Sequence, residues 1–128
     1  MCRRARRATT IEEAQTSAAD AIILDCAYGK LSGAIIGWWR FLGGRTLAAI
    51  LWPTTLVAMP LAGFNPFKVD VSKALASAGP IPVLFLHGAK DTLALPEEAL
   101  RNQAACTGPT SLVWLPDSGH AEGRWLHP

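Results

Sequence analysis

A chain of 128 residues has room for one small domain, and with half its residues apolar and 17% charged it is not a disordered tail. Its net charge of +2 is too small to imply a nucleic-acid partner. The three cysteines (Cys2, Cys26, Cys106) are scattered, with no CxxC pair and no histidine at zinc-ligand spacing, so neither a disulfide framework nor a metal site is expected.

The first elements divide into residues 1–20, a basic arm and short helix, and residues 21–128, the domain proper. Met1-Cys2-Arg3-Arg4-Ala5-Arg6-Arg7 gathers most of the positive surplus and reads as a solvated end. The basic start runs into Thr9-Thr10-Ile11-Glu12-Glu13 and not into an apolar core, so it does not read as a signal peptide. With that and the cysteine usage, a cytoplasmic location is expected. Thr10 with Glu13 three residues on has the form of a capping box, predicting a helix over residues 9–19. Ala21-Ile22-Ile23-Leu24-Asp25-Cys26 is a short apolar run bounded by turn residues, the pattern of a buried strand. Residues 28–33 read as loop.

Residues 34–63 form an apolar block containing Trp38, Trp39 and Trp52, broken at Gly43-Gly44, Pro53 and Pro60; two or three short helices are expected. Within it, residues 46–64 pass without a charge, about the length that crosses a bilayer. The two prolines favour a folded helical pair over a span. Weak membrane association remains an open partner reading. After a turn at Gly63-Phe64-Asn65-Pro66, one more helix is expected over residues 71–78.

The second half is better punctuated. Pro82-Val83-Leu84-Phe85-Leu86-His87-Gly88 is a strand, with proline at its start where a strand tolerates it. Residues 96–106 form a helix with proline in its first turn and Glu97 and Glu98 near its N-terminus. Ser111-Leu112-Val113-Trp114-Leu115-Pro116 is the third strand. Strands joined through helices predict an α/β fold with a parallel sheet covered on both faces.

In such a sheet the C-terminal strand ends share one edge, where ligands gather. Two of these ends lead into turns that bear ionisable residues: Gly88-Ala89-Lys90-Asp91 and Asp117-Ser118-Gly119-His120. If the strands are neighbours, about 4.8 Å apart, Asp91 comes within reach of His120. A carboxylate so placed fixes a histidine tautomer and stabilises the imidazolium.

These two stretches resemble the acid-bearing and histidine-bearing segments of the α/β hydrolases. Pro82 to Pro96 is similar to the first, and Leu112-Val113-Trp114-Leu115-Pro116-Asp117-Ser118-Gly119-His120-Ala121 to the second. Ile23-Leu24-Asp25-Cys26-Ala27-Tyr28 resembles the strand before the family's cap, and Phe64-Asn65-Pro66 with Val69 the return from it. The resemblance implies a partial α/β-hydrolase fold of about three parallel strands with crossover helices, and residues 34–63 as an apolar cap. It implies Asp91 and His120 as catalytic residues of a serine hydrolase acting on esters, thioesters or amides, with a small apolar ester-like substrate and no cofactor or metal.

The family's G-x-S-x-G elbow is missing from these residues; the nearest string, Gly29-Lys30-Leu31-Ser32-Gly33, has the wrong spacing. The chain therefore reads as the C-terminal portion of such an enzyme, inactive by itself. The alternatives are a non-catalytic remnant that binds a partner or hydrophobic ligand, and a small membrane-associated protein. His87 reads as structural, Cys26 as small buried filler, and Asp25 and Asp117 as lesser candidates for the acid. Without a preceding strand, the strand over residues 22–26 becomes an apolar edge that invites self-association and weak stability.

Overall fold

The computed structural model describes residues 19–63 and 65–123. The expected helix over residues 9–19 and the arginine cluster fall outside them, save for Ala19. The order is β1 (Ile22–Asp25), α1 (Leu31–Leu61), a 3₁₀ turn (Pro66–Lys68), α2 (Val71–Ser77), β2 (Val83–Gly88), α3 (Pro96–Ala105) and β3 (Thr110–Leu115). The strands make one parallel sheet in the order β1-β2-β3, with Ile22 opposite Val83 and Val83 opposite Thr110. The α/β reading and its three strands are those of the molecule.

Because opposed residues of parallel strands share a face, the register sorts the side chains. Leu24, Phe85 and Leu112 lie in one row, and Ile22 and Val83 in the next on the same face. Ile22, Val83 and Phe85 are buried there together with Leu75 of α2, forming the core. The opposite face carries Ile23, Leu84, Leu86 and Val113, none of them buried, with Ile23 67% exposed. The expectation of a sheet covered on both faces is therefore corrected: among the described residues, only one face is packed. α2 and α3 are its cover, held to each other and to the β1–α1 loop by the fully buried Asn102. Its amide donates to the carbonyl oxygens of Ala27 (3.2 Å) and Tyr28 (3.3 Å), while Ser72 donates to its oxygen at 2.7 Å.

The apolar block is two helices joined at Gly43-Gly44, a break the sequence marks, but the breaks expected at Pro53 and Pro60 are not there. α1 starts at Leu31, so residues 31–33, read as loop, are helical. It is interrupted once, at Gly43-Gly44, where Gly44 has φ 71° and ψ −169°, a conformation that other residues seldom adopt. Trp39 Nε1 donates to Thr55 Oγ1 at 3.3 Å across this point. Sixteen residues of straight helix would span about 24 Å, so the two halves must fold back on one another. The helix continues through Pro53 and Pro60. The carbonyls that lose their partners belong to Ala49 and Leu56, both exposed, so water can serve them.

The ends of this hairpin are tied together. Leu31 N–H donates to Val69 O at 3.1 Å, Val71 N–H to Gly29 O at 2.8 Å, and Lys30 pairs with Asp70 at 3.6 Å. By length and composition, Leu31–Met59 could cross a membrane. The fold at Gly43-Gly44 prevents it from being one straight span.

Candidate functional site

Asp91 and His120 meet at the carboxyl edge of β2 and β3. β2 ends in a turn closed by Asp91 N–H to Gly88 O (3.1 Å), and β3 in one closed by Ser118 N–H to Leu115 O (3.2 Å). The two turns are stitched by Ala89 N–H to Leu115 O (2.9 Å) and Lys90 N–H to Ser118 O (3.0 Å). Gly88 makes the approach feasible, since a β-carbon there would collide with the backbone oxygens of Gly119 and Ser118.

The Asp91 side chain is completely buried. Its Oδ1 accepts from the backbone N–H groups of Leu93 (2.8 Å) and Ala94 (2.9 Å), which fixes the carboxylate plane. Its Oδ2 faces His120 Nδ1 at 2.8 Å. A carboxylate can only accept, so Nδ1 carries the proton and Nε2 of the neutral ring holds a free lone pair. The His120 side chain is 40% exposed, so this edge sits at the boundary between a buried acid and solvent.

His87 lies beneath the pair, fully buried, its Nε2–H donating to Ala94 O at 2.9 Å and its ring edge-on to Trp114 at 5.7 Å. It supports the loop that holds Asp91, in keeping with the structural reading. Asp117 is exposed and paired with Lys90 at 3.1 Å, and Asp25 is exposed at the end of β1.

Cys26 is the residue whose place sequence reasoning missed. It follows β1 with φ 48°, a left-handed turn that is rare outside glycine, and is buried. Its Sγ accepts from Ala121 N–H at 3.2 Å and is 3.9 Å from Gly119 O. Burial pushes its thiol above the ordinary 9.0, opposed by the backbone amides of Ala121 and Gly88. Sγ, an Asp91 oxygen and a His120 nitrogen all lie within 4.8 Å of one another. Cys26 is separated in sequence from these partners by most of the domain, so no spacing could have signalled the cluster. Ser118 was also overlooked: it is fully buried, and its Oγ has no partner among the described residues.

A cleft of about 220 Å³ opens beside the Asp91 loop, between Tyr28, Ile36 and Arg40 on one side and Leu93, Leu95 and Glu98 on the other. Glu98, one of its lining residues, accepts from Gly29 N–H at 2.8 Å.

No family model and no curated protein matches this sequence. Solved structures do. An esterase from Pyrococcus furiosus aligns at TM-score 0.56 and 18% identity over 92% of this chain and 43% of its own. A hydrolase from Pseudomonas aeruginosa aligns at 0.54 and 20% over 90% of this chain and 54% of its own. A serine hydrolase involved in carbazole degradation aligns at 0.53 and 11%, over 88% and 52%. The chain has the fold of the α/β hydrolases and spans about half the length of these structures.

Proposed function

We propose that this chain carries the acid and histidine of an α/β-hydrolase triad that cleaves ester, thioester or amide bonds with a serine nucleophile. The observation behind the reading is the 2.8 Å contact between His120 Nδ1 and a buried Asp91 that two backbone amides hold in place. In that arrangement Nε2 takes the serine proton as the hydroxyl attacks the carbonyl carbon. Asp91 stabilises the imidazolium that forms, and Nε2–H then protonates the leaving group. The serine would come from an elbow outside these residues, which makes the isolated chain inactive. α1 would serve as the cap. The adjoining cleft is smaller than the roughly 300–1,000 Å³ of most ligand pockets and suits a short apolar acyl group.

Fluorophosphonate labelling tests this. The chain alone should remain unlabelled, and the chain extended with the sequence encoded directly upstream should label in a His120-dependent manner. Labelling of the chain alone that vanishes in His120→Ala would place the serine within these residues. Labelling of the extended form that ignores His120→Ala would remove the dyad from the mechanism.

A second reading draws on exposed apolar surface. Phe41, Leu42, Ile50, Val57 and Leu61 of α1 all face solvent, and β1 leaves one edge unpaired among the described residues. Both features support weak membrane association or self-association. Co-sedimentation with phosphatidylcholine vesicles, set beside the sedimentation coefficient of the chain alone, separates the two.

A further inference from the structure

We propose that Cys26, Asp91 and His120 form a three-donor site for a thiophilic divalent cation, zinc above all. The three donor atoms lie within 4.8 Å of one another and come from all three strand ends, so the sheet itself gathers them. A thiolate, an imidazole and a carboxylate are the zinc ligands of proteins, and three of them with a solvent position make an open tetrahedral site. Bond lengths of about 2.0–2.3 Å put donors about 3.3–3.6 Å apart in such a site. Here the Nδ1–Oδ2 separation is 2.8 Å while the trio spreads over as much as 4.8 Å. Closure therefore requires the partly exposed ring to draw back from Asp91 by about half an ångström and the thiol side to close by about an ångström.

The surroundings are suited to the ion. Asp91 presents one oxygen while the amides of Leu93 and Ala94 grip the other, as an outer shell orients a ligating carboxylate. Ala121 N–H already points at Sγ and would stabilise the metal-bound thiolate. The exposed side of His120 gives an entry path from solvent. On binding, the thiol releases its proton to solvent and the imidazole proton moves from Nδ1 to Nε2, so Nδ1 can coordinate. That shift removes the Nε2 lone pair. Metal occupancy and the hydrolase role of the dyad are therefore mutually exclusive, and the site does not rest on the hydrolase reading.

The experiment is a cobalt(II) titration of the reduced, untagged chain. One equivalent should give a near-ultraviolet sulfur-to-cobalt charge-transfer band with intense visible bands of tetrahedral cobalt, and zinc should abolish both. Cys26→Ser should remove the charge-transfer band, while Cys2→Ser and Cys106→Ser keep it. His120→Ala should weaken binding more than about 100-fold, beyond the ~10–100-fold that outer-shell changes cost. Circular dichroism of the metal-free variants checks that each is folded. In unmodified protein, zinc should also protect Cys26 but not Cys106 from alkylation, a readout that needs no variant. Cobalt bound without a thiolate band, a band that survives Cys26→Ser, or equal alkylation with and without zinc would each overturn the site.

Discussion

The packed sheet and the α1 hairpin are both rich in apolar residues, yet they use them in opposite ways. In β2, alternate residues Val83, Phe85 and His87 are buried, the first two in the core with Leu75 of α2, and the strand's end delivers Asp91 to a fixed place. In α1, Phe41, Leu42, Ile50 and Leu61 stand in solvent, and the two halves meet across a glycine hinge with a Trp39–Thr55 hydrogen bond between them. Apolar composition alone therefore does not make a core; register against a partner surface does. The sheet region has such a partner, whereas most of α1's apolar surface has none within the described residues.

The strongest way to break this contrast is to truncate one large side chain in each region. Phe85→Ala removes a ring at the centre of the core and should cost about 3–5 kcal/mol, a large share of the stability of a domain this size. Leu61→Ala, at 85% exposure, should change stability by less than about 0.5 kcal/mol. Urea unfolding followed by circular dichroism measures both. A cost at Leu61 comparable to that at Phe85 would mean that α1 is packed in solution against a second copy.

Carboxylates give the next contrast. Asp91→Ala strips the acceptor from two amides, one of them buried, at about 1–3 kcal/mol for each left unsatisfied. Asp117→Ala breaks an exposed pair with Lys90 and should move the unfolding midpoint hardly at all. Equal effects would show that the Asp91 loop is not held as the structure has it.

Glycines sharpen the comparison further. Gly88→Ala forces a methyl group against the backbone oxygens of Ser118 and Gly119 and should cost about 1–3 kcal/mol. Gly33→Ala, in the first turn of α1, meets nothing within 4 Å and should gain up to about 1 kcal/mol from helix propensity. Thermal melts of the pair decide it. A stabilising Gly88→Ala would show that the two turns are further apart than their hydrogen bonds indicate.

Much of this was legible in the sequence where short-range signals agree. β2 and β3 are bounded by proline and glycine, α3 begins at Pro96, and Asp91 and His120 follow their strands at similar distances, so their meeting could be anticipated. The apolar block was harder, because a helix passes through a proline more readily where the carbonyl it strips reaches water, and exposure is not written locally. Cys26 was illegible for a different reason. Its nearness to Ala121 and His120 depends on β1 lying beside β2, a pairing that Ile22–Asp25 alone does not specify. Asn102 belongs with it, since a buried amide that caps a distant loop has no local pattern.

The smallest expected effect concerns alkaline pH, and it too separates the regions. Burial raises the thiols of Cys26 and Cys106 above their ordinary 9.0 in the folded chain. Below pH 9 both states keep the proton and the thiols leave stability unchanged. Above it the unfolded chain ionises first, so the folded state binds more protons and stability falls as pH rises through the folded values. Both thiols belong to the sheet region: Cys26 follows β1 and Cys106 ends α3. Residues 31–61 carry no cysteine. Urea midpoints at pH 7.5 and pH 10 should therefore converge in part on Cys26→Ser and further when Cys106→Ser is added, with the unmodified chain losing most. An alkaline loss that is unchanged in the double variant would move its origin away from the buried thiols, and Cys26 would then have to be more open to solvent than its contacts with Ala121 and Gly119 imply.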